Sequence, residues 1–166
     1  MKSKTSNELK KIISGAGVLS KKDFRSKMIK FQDQFANHEF SVIRKSFAEG
    51  DDLDSFEGGS LEHEFGDGTY IRKITMPKGT MHLSAIHLVT HPFFVMEGKA
   101  TVISDEGVFE IEAPYHGMTK PGTQRILYIK ETMVWITVHP TNKKDVEQVV
   151  DDVIAKDYNH PKLKLK

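Results

Sequence analysis

The chain has 166 residues, of which 38% are hydrophobic and 28% charged, and a formal net charge of +1. That length suffices for one buried core and excludes two full-sized domains. Cysteine is absent, which excludes a disulfide framework, a thiolate metal site and a cysteine nucleophile.

The near-neutral total conceals an uneven distribution. Residues 1–30 carry nine Lys and Arg against only Glu8 and Asp23. Basic side chains interleaved with apolar ones read as the solvated face of a helix, so nucleic acid is not expected as a partner. No stretch reaches the ~18 apolar residues that span a bilayer, and the N-terminus lacks the long apolar segment of a secretion signal. The expectation is a chain without a membrane span in the cytoplasm, or in the host cytoplasm if the protein is viral.

In chain order, Ser20 is placed to cap a helix in which Phe24, Met28, Phe31 and Phe35 fall on one face. After Asn37 and His38, residues Phe40, Val42, Ile43 and Phe47 are predicted to form a second short helix. Phe47 to Ser60 then carries five carboxylates, no base and three glycines, the composition of a linker. From Leu61 the texture changes to short runs of β-formers: TYIRKITM, TMHLSAIHLVT, FFVME, KATVIS, VFEIEA, QRILYIK and MVWITVH. Turn residues separate them at GDG, PKG, HP, EG, DEG, APYHG and KPG. Seven short strands with tight turns predict a closed barrel or sandwich. Beyond Pro140, Val146, Val149, Val150, Val153 and Ile154 fall at one-face helical spacing, with Thr141 or Asn142 as cap, and the basic end NHPKLKLK is predicted to fray. The predicted organisation is therefore a helical extension over 1–48, an acidic linker over 49–60, a barrel over 61–140, a helix over 141–158 and a tail over 159–166.

The stretch GTMHLSAIHLVTHPFFVMEGK (79–99), followed by KPGTQRILYIK (120–130), resembles the two motifs of the cupin superfamily. The general texture is also similar to small cupin-like proteins encoded by tailed bacteriophages. The resemblance covers roughly residues 61–140 and implies a mainly β fold, a cupin-type barrel (double-stranded β-helix or jelly roll), here with an N-terminal helical segment and a C-terminal helix. In the family, three histidines and a carboxylate hold a metal. Aligned on Gly79, Gly98 and Pro121-Gly122, those positions fall here at Ala85, His87, His91 and Arg125. Two imidazoles remain of the four implied ligands.

Strand parity agrees for His87. Met81, Leu83, Ala85, His87 and Val89 share one face, which is largely apolar and so inward, while His82 shares the other with Ser84, Ile86 and Leu88. His91 falls at the following turn, within reach of His87.

Two imidazoles are marginal for Zn, Fe, Mn or Ni, which a firm site holds by three or four protein ligands. Further donors are available at His116, His139, Glu97 and Glu62, none at a family ligand position. The permanent charge of Arg125 opposes a divalent cation and suits a carboxylate or phosphate. Tyr70, Tyr128 and Trp135 are the aromatic candidates for pocket walls. Three outcomes stay open: a metal-free ligand pocket, a weakly held transition metal, or a barrel filled by its own side chains.

Other catalytic signatures are absent: no phosphate loop ending in GK[ST], no GxSxG and no HExxH. If the barrel performs chemistry, His87 or His91 is the expected general base. The leading expectation is a binding module for an anionic small molecule in the barrel. The alternatives are a metal-dependent isomerase, epimerase or dioxygenase of the cupin kind, and a viral structural protein using the barrel as scaffold. Two apolar helical stripes on a small barrel also predict a homo-oligomer.

Overall fold

The computed structural model describes residues 21–35, 41–43 and 59–163. Helix α1 spans Lys21–Phe35. Ten strands follow: β1 Ser41–Ile43, β2 Ser60–Gly66, β3 Thr69–Met76, β4 Met81–Leu83, β5 Ile86–His87, β6 His91–Ser104, β7 Gly107–Glu112, β8 Tyr115–Thr119, β9 Ile126–Pro140 and β10 Ile154–Ala155. Helix α2, Val146–Val153, lies between β9 and β10, and a 3-10 turn closes at Pro161–Leu163.

Two long strands organise the sheet. The first part of β9 pairs with β4, and its second part pairs with β3, which in turn pairs with β2. On its other edge β9 pairs antiparallel with β6 along most of its length. The first part of β6 pairs with β8 and its second part with β7. Register shifts between Val95 and Ala100 separate the two parts of β6, so the sheet folds there into two halves joined by the same strands. Gly98 occupies the bend at φ +84°, and a Cβ there would lie 2.7 Å from Met133 Cα. Only glycine meets both demands.

Side chains of both halves meet in one core. Ile74, Phe93, Met133 and Trp135 of one half join Ala100, Val102, Ile111, Leu127 and Ile129 of the other. On β9 the inward residues run at strict period two from Leu127 to His139, apart from the exposed stretch at residues 130–132. The expected mainly β, jelly-roll class is therefore the observed one.

Several local expectations are corrected. FFVME and KATVIS merge into β6, and QRILYIK and MVWITVH into β9, because the bulge at Gly98 bends a strand rather than ending it. LEHEFG forms β2, and Tyr115–Thr119, read as a turn, forms β8. Ser41–Ile43, expected in a helix, pairs parallel with β4 instead; a free sheet edge outweighs weak helical periodicity. In the C-terminal part Asp145, not Thr141 or Asn142, caps the helix, its Oδ1 accepting from Gln148 N at 3.1 Å. The helix stops at Val153 because Ile154–Ala155 pairs with β5. Of the tail expected to fray, the described part to Leu163 is anchored, since Leu163 is buried and its carbonyl accepts from Arg25 Nη1 at 3.3 Å, while residues 164–166 lie outside the described residues.

The amphipathic helices cover opposite regions. Phe24 and Met28 of α1 bury against Met81, Leu83, Ile103 and Ile126. Val149 and Val153 of α2 bury against Tyr70, with Phe65 and Val89 at the margin. Ser20, the expected cap of α1, and most of the acidic linker lie outside the described residues. No helix among the described residues is long and apolar enough to cross a membrane.

Candidate functional site

A cavity of about 70 Å³ opens between the two sheet halves. At about 10–15 Å³ per water-sized group it has room for roughly five to seven such groups. Its apolar wall comes from Ile74, Met76, Leu127 and Trp135, and its polar wall from Arg72, His82, Ser84, His87, His91, Thr119, Arg125 and Thr137. No Asp or Glu lines it among the described residues.

Arg125 is held from its backbone. Its N–H donates to Ser84 Oγ at 2.8 Å and its carbonyl accepts from Ser84 N at 2.8 Å. The adjoining Gln124 donates through Nε2 to Ser84 O and accepts from the Tyr158 hydroxyl. These bonds project the guanidinium into the cavity, where Nη1 donates to Thr119 Oγ1 at 3.1 Å and the group lies 5.1 Å from the Phe93 ring centre. The residue is 7% exposed. Burial lowers its pKa from the ordinary guanidinium value, yet arginine stays charged in proteins. Among the described residues no carboxylate forms an ion pair with it.

His87 is fixed by the backbone on both sides. Its N–H donates to Thr123 O at 3.2 Å, its carbonyl accepts from Gly122 N at 2.7 Å, and β10 pairs alongside. His91 opens β6 rather than sitting in a turn, and is fully buried; proline at the second residue of the strand is tolerated near a strand start. Its Nδ1 lies 3.2 Å from the Val89 carbonyl. The two imidazole centres are 4.6 Å apart, and His139 stands 4.1 Å from His91 and 6.5 Å from His87.

Burial dominates the titration of all three. It holds His87 well below its ordinary value, assisted by His91, Arg125 and His139. It pulls His91 down to about 4, against a raising contribution from the Val89 carbonyl and with help from Arg125. It pulls His139 down to about 3, helped by His91. All three are therefore neutral at pH 7, and His87 Nδ1, His91 Nε2, His139 Nδ1 and Thr137 Oγ1 are buried without a hydrogen-bond partner.

The donor set does not fit a metal. His139 does not line the cavity, which leaves His87 and His91 as its two imidazoles at the family positions, and the Arg125 charge stands in place of a third ligand. Among the described residues no group of three His, Cys, Asp or Glu side chains could hold a metal ion. Of the further donors named from sequence, Glu97, Glu62 and His116 do not line the cavity.

The structure brings His87, His91, Arg125 and Trp135 together around one cavity. It does not bring Tyr70 or Tyr128. Tyr70 is buried under α2 and hydrogen-bonded to His63 Nδ1 at 2.6 Å, beyond the cavity's end. Tyr128 projects from the face of β9 opposite Leu127, away from the cavity. His82, expected to face away, lines the cavity, because the strand breaks at Ser84 and Ala85 and parity does not carry across the break. Its Nε2 lies 2.8 Å from Thr80 Oγ1. Sequence reasoning also passed over Arg72 and Thr137, whose signal was available: each shares its strand's inward face, Arg72 with Ile74 and Met76, Thr137 with Met133 and Trp135.

No family model and no curated protein matches the sequence. Among solved structures, the chain is similar to the cupin domain of Schizosaccharomyces pombe Cnp3, with 16% identity over 54% of this chain and 72% of that one, at a TM-score of 0.44. It is similar to the Clostridium difficile EutQ protein, with 13% identity over 51% and 70% of the two chains, at 0.41. Salicylate 1,2-dioxygenase from Pseudoaminobacter salicylatoxidans gives 13% identity over 51% of this chain and 25% of that one, at 0.44. At these identities and scores, nothing that those proteins do passes to this chain.

Proposed function

We propose that the chain binds a small anion in the cavity between its sheet halves, with Arg125 as the charge partner. One observation carries the reading: a buried guanidinium opens onto a cavity that two arginines and no carboxylate line among the described residues. Burial penalises the Arg125 charge, Glu106 and Asp105 offset that penalty through space without forming an ion pair with it, and an anion in the cavity offsets it further. A guanidinium grips a carboxylate or phosphate through two parallel hydrogen bonds. His87 and His91, both neutral, complete the polar wall, and Trp135, itself stacked on Phe93 at 4.4 Å, supplies the aromatic wall.

The test is a thermal-shift panel of small carboxylates and inorganic phosphate, read beside the fluorescence of Trp135, the single tryptophan. A ligand at 100 times its Kd stabilises by about 2.7 kcal/mol, which raises the melting temperature of a chain this size by about 5–10 °C. The Arg125→Met variant is expected to lose that rise. A panel in which no anion shifts the wild-type protein overturns the proposal.

A further inference from the structure

We infer that the anion is a short aliphatic monocarboxylate, its carboxylate on Arg125 and its carbon chain against Ile74, Met76, Leu127 and Trp135. The inference rests on the anion reading of the same cavity and adds what lies behind the charged end of the ligand.

The charged end has one seat. Arg72 is engaged in an interaction of its own. The Arg125 guanidinium makes a single hydrogen bond among the described residues, from Nη1 to Thr119 Oγ1. Its Nε and Nη2 donors are left for an acceptor, and a carboxylate supplies two oxygens in the matching plane.

The rest of the polar wall offers a ligand little. Ser84 Oγ and Thr119 Oγ1 accept from Arg125, and His82 Nε2 pairs with Thr80 Oγ1. His87 Nδ1, His91 Nε2 and Thr137 Oγ1 are sealed within the wall with almost no accessible surface. What remains accessible is mainly carbon. Ile74 stands directly across from Trp135 in the register of β3 and β9, Met76 follows two residues on, and Leu127 adds to the wall from the first part of β9. A methylene laid there leaves water at no polar cost, which strengthens binding about fourfold per carbon. A further oxygen laid there loses its hydrogen bonds to water and gains none. Phosphate, which keeps oxygens beyond those on Arg125, is therefore held less tightly than a carboxylate with a chain.

Volume sets the length. About 70 Å³ holds roughly five to seven non-hydrogen atoms. The carboxylate takes about three of them, which leaves roughly two to four chain carbons. That is the scale of propionate, butyrate and valerate.

The test is a calorimetric titration of the whole chain at pH 7.5 with the sodium salts from acetate to octanoate, and with inorganic phosphate, at matched ionic strength. Affinity is expected to rise about fourfold per carbon from acetate to butyrate, to level at valerate and to fall at hexanoate, with phosphate below butyrate. In Ile74→Ala, whose fold is checked by its melting transition, the fall is expected to move to a longer chain while acetate binds as before. Equal affinities from acetate to valerate, or phosphate bound more tightly than butyrate, overturn the monocarboxylate and leave the anion site standing. Binding of neither the carboxylates nor phosphate, nor of any other anion, overturns both. An affinity that climbs unbroken to octanoate overturns the confinement of the chain to this cavity. A fall that stays at hexanoate in folded Ile74→Ala overturns the placement of the chain on that wall. Should the variant fail to fold, the wild-type series still decides the ligand class.

Discussion

Lowering the pH from 7.5 to 5.0 should destabilise this protein steeply through its buried imidazoles. His91 and His139 have folded-state pKa values lowered to about 4 and about 3, chiefly by burial, from an ordinary 6.5. Between those folded values and 6.5 the unfolded chain binds protons that the folded chain refuses. Stability from these groups is thus fully present above pH 6.5 and is lost as the pH falls below it. At pH 5.0 each histidine costs about 2 kcal/mol, roughly 1.4 kcal/mol for each of the 1.5 pH units below 6.5. The two together cost about 4 kcal/mol, and His87, shifted the same way, adds to the loss. Urea denaturation at the two pH values measures it: with a slope of about 2 kcal/mol per molar urea, the midpoint should drop by at least about 2 M. His139→Gln should recover about 1 M of that drop. Midpoints that coincide at pH 7.5 and 5.0, with equal slopes, would refute the view that these imidazoles are buried and neutral.

Arg125→Met, besides abolishing the anion response, should melt at the same temperature as the wild-type protein or above it, because it removes a buried charge that forms no ion pair among the described residues. A loss of many degrees would instead mark the arginine as structural. Gly98→Ala should cost about 3 kcal/mol or more, since a positive φ and a collision with the Thr132 carbonyl act together at the fold of the sheet; an unchanged melting temperature contradicts the bulge as drawn. Phe24→Ala should cost about 3 kcal/mol and expose α1 to limited proteolysis before the barrel unfolds, because Phe24 and Met28 bury α1 against β4 and β9. Val149→Ala, at a fully buried position under α2, should cost about 2 kcal/mol by calorimetry.

Much of the barrel was legible because strands announce themselves by alternation and glycine turns. TYIRKITM coincides with β3 residue for residue, and the inward face of β9 follows from parity alone. The same rule failed at His82, where two residues without strand pairing reset the faces. It also exchanged cavity walls for core at Tyr70, which is inward by parity but lies beyond the cavity's end under α2. Alternation states which side a residue faces, not how far along the strand the cavity reaches.

By itself, the sequence determined the mainly β class, the two amphipathic helices and the candidacy of His87, His91, Arg125 and Trp135, because periodicity and motif spacing are local properties. Tertiary structure alone decided that β6 and β9 each run through both halves of the sheet, and that His139 stands against His91 from 48 residues further along the chain. It also decided that Arg125 lines one cavity with His87 and His91, with no acid among the described cavity residues. Those are pairings between distant segments. They depend on strand register and the bend at Gly98, which fix which inward side chains share a level and which polar atoms are left without a partner.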